Sequence, residues 1–189
     1  NSDKIIFLDF YSENWGACKR LEVETLNDSL IIDLTEKHLI PIKLDAWFDS
    51  LGQKLFSDFN GYAIPLLIFL NGKGEELDRV VGYKDKEDFL EILNNVLNNH
   101  DTFKSLSEKY YKGNNDSDLI DKLSLKSDER QDDILSTELY LKVLNNDINF
   151  NKDVYERALY FFAKKELKNN NPNKMMTFIL ENANSKESK

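Results

Sequence analysis

Phe7-Leu-Asp-Phe-Tyr-Ser-Glu-Asn-Trp-Gly-Ala-Cys-Lys19 is the stretch that decides the fold. Its first half continues the run Lys4-Ile-Ile-Phe-Leu-Asp-Phe-Tyr11, short, apolar and β-branched at its start. Such a run predicts a central strand buried on both faces. From Trp15 onward the pattern changes. Leu21, Leu26, Leu30, Ile31 and Leu34 fall at helical spacing, with an interruption expected near Asn27-Asp28, where Asp28 can cap a second helical segment.

Working outward, His38 to Leu44 predicts the next strand, and Pro41 suits a strand start or an edge strand because it lacks an amide donor. Ser50 to Phe59 predicts a helix, broken by Gly61 to Pro65. Leu66 to Leu70 is an uninterrupted apolar strand, and Asn71-Gly-Lys-Gly74 is a turn because Asn and Gly tolerate positive φ. Glu76 to Val81 then returns antiparallel, Gly82-Tyr83 ends it, and Asp85 to Leu97 shows one apolar helical face. The order is strand, helix, strand, helix, strand, strand, helix. After His100 only helical spacing remains, in five sets that begin near Phe103, Leu119, Ile134, Val154 and Met175. Polar Asn-, Gly- and Asp-containing breaks separate them. Two domains follow: residues 1–99, with strands and helices, and an all-α domain of residues 100–189. The paired helices of the second resemble tetratricopeptide-like appendages, although no fixed period is present.

Composition narrows the function. Of 189 residues, 41% are hydrophobic and 12% aromatic, enough for a packed core rather than a disordered chain. The net charge is -9, and residues 1–100 hold most of it, with 10 Lys/Arg against 18 Asp/Glu. An acidic surface repels phosphate backbones, so no nucleic-acid partner is expected. No apolar run is long enough for a membrane span. Cys18 is the one cysteine, which excludes an internal disulfide and a Cys-rich zinc site. His38 and His100 read as solvated helix ends, and Asp45 and Asp49 as solvated surface rather than metal ligands, so neither a metal nor another cofactor is expected. Trp47, Phe48, Phe56 and Phe59 read as core or helix-packing residues. The sequence opens at Asn1 with no signal peptide, which fits a processed export signal or a trimmed chain. An exported, extracytoplasmic location is favoured over the cytoplasm.

The quoted stretch resembles the segment around the W-C-G-P-C-K motif of the thioredoxin-like superfamily. Without a gap, Asp9 falls on the family's buried aspartate, and Cys18-Lys19 fall on the second cysteine and its lysine. Trp15 lands on the first cysteine and Asn14 on the tryptophan. Lys43 matches the strand lysine that faces the buried aspartate, Ile64-Pro65 the cis-proline loop, and Gly82 a glycine after the last strand. The string Lys19-Arg-Leu-Glu22 and the helical C-terminal half are similar to bacterial thioredoxin-like proteins. A one-residue shift would instead make Trp15 the family tryptophan and delete one motif residue. The resemblance implies an α/β thioredoxin fold for residues 1–99, with a central mixed sheet flanked by helices, a cis Ile64–Pro65 bond, and Asp9 and Lys43 as a buried supporting pair.

The family's chemistry needs an exposed thiolate at a helix N-terminus, where the helix dipole lowers its pKa, and a second thiol one turn later. Trp15-Gly16-Ala17-Cys18 keeps that spacing but offers only the second sulfur. An indole cannot attack a disulfide. Three readings follow. The first is a non-catalytic module that binds a protein or an extended peptide through Trp15, Gly16, Ala17, Ile64 and Pro65. The second is a weak or single-thiol oxidoreductase or isomerase using Cys18. The third is a structural adaptor that binds through its helical half. Trp15 itself reads either as a cap packed on the first helix or as an exposed aromatic anchor.

Overall fold

A computed structural model describes residues 4–145, 150–169 and 177. Four strands form one sheet: β1 (Ile5–Tyr11), β2 (Leu39–Asp45), β3 (Leu66–Leu70) and β4 (Glu76–Val81), in the order β2-β1-β3-β4. β1 and β2 are parallel, while β1 with β3 and β3 with β4 are antiparallel. The sheet is therefore mixed. All five residues of β3 are buried, as a central strand with helices on both faces requires. β2 is an edge strand, so Pro41 removes no ladder hydrogen bond on its open side.

Strand alternation sorts the core into two layers. Phe7, Leu67 and Phe69 face one side, where Phe7 and Phe69 stack at 5.0 Å between ring centroids. Phe89 and Leu93 of α4 (Lys86–Leu97) join this layer. Leu8, Phe10, Leu66 and Ile68 face the other side, with Cys18, Phe56 of α3 (Ser50–Asp58) and Phe59 just after it.

The expected interruption in the first helical stretch is present. α1 (Gly16–Leu21) runs into a π-helical turn (Glu22–Leu26), closed by the Asn27 N–H donating to the Glu22 carbonyl at 3.0 Å. α2 (Ser29–His38) then starts anew, with the Asp28 carboxylate accepting from the Leu30 N–H. Asp49 and Asp85 cap α3 and α4 in the same manner.

The chain divides into two compact units between Lys112 and Gly113, rather than between residues 99 and 100. The difference lies in α5 (Phe103–Tyr111). Its helix packs on β4, its first amide (Phe103 N–H) donates to the buried Asp78 carboxylate at 3.2 Å, and Lys104 pairs with Glu75 at 3.1 Å. The end of strand signals near His100 marks a change of secondary structure, not the end of the first unit. In the second unit α6 (Ser117–Glu129) packs on α7 (Asp133–Leu144), and α7 on α8 (Lys152–Lys168). Tyr140 and Phe161 meet at 4.9 Å between centroids, and Arg157 pairs with Asp121. The apolar residues of the fifth helical set, from Met175, lie outside the described residues. None of the described helices is long and apolar enough to cross a membrane.

Candidate functional site

Sheet direction brings four loops to one end. The chain leaves β1 after Tyr11 and β2 after Asp45, enters β3 at Leu66 and leaves β4 after Val81, all on the same side. Trp15, Trp47, Pro65 and Gly82 sit in these loops. The Ile64–Pro65 peptide is cis, and both residues are buried. Gly82, at φ 81°, donates its N–H to the Pro65 carbonyl at 2.8 Å. That positive φ is easy for glycine and costly for a residue with a Cβ.

Trp15 is the N-cap of α1, yet its side chain makes no capping bond and is 55% exposed. Its N–H donates to the Ser12 carbonyl at 3.1 Å, and its own carbonyl accepts from Cys18 and Lys19 at 3.1 and 3.2 Å. Gly16 is exposed with open space where a Cβ would stand, and Ala17 is half-buried. Cys18, one turn inside the helix, is only 6% exposed and packs into the second core layer. Burial pushes the Cys18 thiol up, outweighing the lowering pull of a backbone hydrogen bond from Ser12. Cys18 lines a recess of about 340 Å³ together with Ser12, Asn14, Lys19 and Glu22.

Asp9 and Lys43 are register partners across β1 and β2, but they do not form the buried pair that the resemblance implies. Asp9 is 8% exposed, whereas the Lys43 side chain is 43% exposed and its ammonium donates to Glu22 Oε1 at 2.7 Å. The same ammonium stands 4.5 Å over the Tyr11 ring. Burial pushes the Asp9 carboxyl up to about 6, with the Lys43 charge only partly opposing it. Glu22 is the residue that sequence reading missed. Its signal was its place four residues after Cys18, hence on the same helical face.

The π turn and the start of α2 are tied to the loop after β4. Arg20 lies 4.0 Å over the Tyr83 ring, the Tyr83 hydroxyl donates to Glu24 at 2.7 Å, and Thr25 Oγ1 donates to the Lys84 carbonyl at 2.8 Å. Lys86 pairs with Asp28 at 2.6 Å. These contacts hold the π turn against the loop after β4, whose Gly82 is in turn bonded to Pro65.

Residues 1–97 match the family described as "thioredoxin-like domain". The chain belongs to the thioredoxin-like family. Among solved structures, this thioredoxin-like chain is similar to a thioredoxin from Thermus thermophilus, at 23% identity and TM-score 0.46, over 50% of this chain and 74% of that one. It is also similar to the oxidised DsbD C-terminal domain of Neisseria meningitidis, at 22% identity and TM-score 0.42, over 49% and 79%. A third likeness is the DsbH oxidoreductase, at 17% identity and TM-score 0.44, over 51% and 74%. No curated protein matches the chain.

One assignment from sequence changes. Trp47 and Phe48 are not core residues: they are 50% and 75% exposed, although Trp47 leans on Phe56 at 6.2 Å between centroids. Asp45 is half-buried and Asp49 exposed at the surface, where both also brace the turn. Asp45 Oδ1 accepts from the N–H groups of Trp47 and Phe48 at 2.8 and 2.9 Å, and Asp49 Oδ2 accepts from the Gly52 N–H at 2.8 Å.

Proposed function

We propose that this thioredoxin-like domain is a non-catalytic module that binds a protein or an extended peptide through Trp15, Gly16, Ala17, Ile64 and Pro65. One observation carries the reading. At the helix N-terminus, where dithiol chemistry needs an exposed thiolate, the chain presents an exposed indole, and its single thiol is buried one turn away. Asp9 and Lys43 then act as supporting residues of the scaffold rather than as proton carriers.

The geometry is favourable for an extended ligand. Trp15 offers a large apolar surface with few rotatable bonds, the kind of side chain that dominates binding energy when a partner covers it. The adjoining loop is held by the Gly82–Pro65 hydrogen bond, so little order is lost when a strand-like segment docks. Single-thiol chemistry at Cys18 has weaker support, since burial raises the thiol pKa and shields the sulfur. Insulin reduction driven by dithiothreitol tests the choice. The wild-type chain is expected to match a Cys18→Ser variant and the uncatalysed rate. Turnover that disappears in Cys18→Ser overturns the binding-only reading.

A further inference from the structure

We propose that the Asp45–Asp49 turn is a binding element for an arginine-bearing apolar segment of a partner protein. Here the guanidinium lies on the faces of Trp47 and Phe48 and pairs with the two flanking carboxylates. This inference rests on the reading of this sheet end as a peptide-binding surface, and it names a second contact and the charge of the ligand.

The turn is built to show two aromatic rings to solvent. Phe48 is 75% exposed and Trp47 50%, whereas every other described phenylalanine is buried or half-buried. The rings are not on a loose loop. Asp45 Oδ1 ties down both of their amides, the Gln53 side-chain amide donates to the Trp47 carbonyl, and the Trp47 ring rests against Phe56. Asp49 closes the turn by capping α3. Two exposed rings on a braced turn lose little freedom when covered, which favours binding.

Charge selects the occupant. Each carboxylate spends one oxygen on backbone amides, Oδ1 of Asp45 and Oδ2 of Asp49. The other oxygen of each has no partner among the described residues. The neighbouring cations are already engaged, Lys43 with Glu22 and Lys54 with Asp58. Residues 1–100 also carry 18 acidic against 10 basic side chains, so the field here attracts cations. Arginine fits better than lysine: its planar head stacks on aromatic faces while its edge pairs with carboxylates.

The test is selection of a random linear heptapeptide display library on the full chain, followed by titration of the enriched peptides. Enriched sequences should carry Arg beside an apolar residue. Phe48→Ser should weaken their binding about tenfold or more. The double change Asp45→Asn and Asp49→Asn keeps both amide acceptors but removes the charges, so it should weaken binding several-fold and flatten its salt dependence. Unchanged melting curves for these variants exclude misfolding as the cause. Enriched peptides without Arg, or equal binding to wild type and Phe48→Ser, overturn the inference. Peptides lost on Trp15→Ala but retained by Phe48→Ser overturn it while leaving the module reading intact. Failure to enrich any peptide overturns both.

Discussion

Asp9 carries an energetic cost whose sign can be worked out. Its carboxyl is pushed up by burial to about 6, from an ordinary value of 3.8. Below about pH 4 the group is neutral in the folded and the unfolded chain and opposes nothing. Above about pH 6 the folded chain must hold a buried carboxylate that the unfolded chain would solvate freely, so stability falls as pH rises between those values. A displacement of this size corresponds to about 3 kcal/mol. Asp9→Asn should therefore raise the urea midpoint at about pH 8 and leave it nearly unchanged at about pH 4; an equal effect at both values would remove burial as the cause. At this scale the sequence was partly legible. Asp9, Cys18, Lys43 and Pro65 could be placed because each falls on a landmark of the family that the chain resembles. The Glu22–Lys43 contact could not, because it joins residues 21 positions apart through a helix face known only once the π turn is in place. Trp47 and Phe48 misled for a related reason: aromatic content suggests burial, and only the capping by Asp45 turns the pair outward.

Among the elements, α3 is the one whose position depends on a missing side chain. A Cβ on Gly52 would collide with the backbone carbonyl of Asp45 at the end of β2. Alanine in a helix is ordinarily favoured over glycine by about 1 kcal/mol. Here the sign should reverse. Gly52→Ala should lower the thermal midpoint, by an amount matching about 1–3 kcal/mol of overpacking; a raised midpoint would show that α3 is free to move away from β2. The elements themselves were largely legible, since periods of two and of about 3.6 residues mark strands and helices, and Asp28, Asp49 and Asp85 mark helix starts. Direct sequence signals could not tell that α1 passes into a π turn, because π and α turns accept the same apolar spacing over so few residues.

For the molecule as a whole, the division after Lys112 makes α5 part of the thioredoxin-like unit. Leu106 and Tyr110 are buried, and burial of a leucine side chain alone contributes about 1.5–3 kcal/mol. A chain ending after residue 112 should unfold cooperatively in urea, and one ending after residue 99 should do so at a clearly lower concentration, with Asp78 left without the Phe103 amide. Equal midpoints would place α5 outside the first unit. This boundary was not legible, because a helix that completes a sheet edge and a helix that opens a new domain have the same amphipathic pattern. The π turn at Glu22–Leu26 bears on a different matter, the chain's tolerance of changes in length. A π turn holds one residue more than an α turn spanning the same rise. Loss of one residue there can be absorbed by tightening to α geometry, with Cys18 on one side and Ile31 on the other keeping their core positions. The same loss inside α4 would swing Phe89 about 100° away from Val96. Between Glu22 and Leu26 lies the slot through which this helical stretch can lengthen or shorten over evolutionary time without disturbing the sheet beneath it.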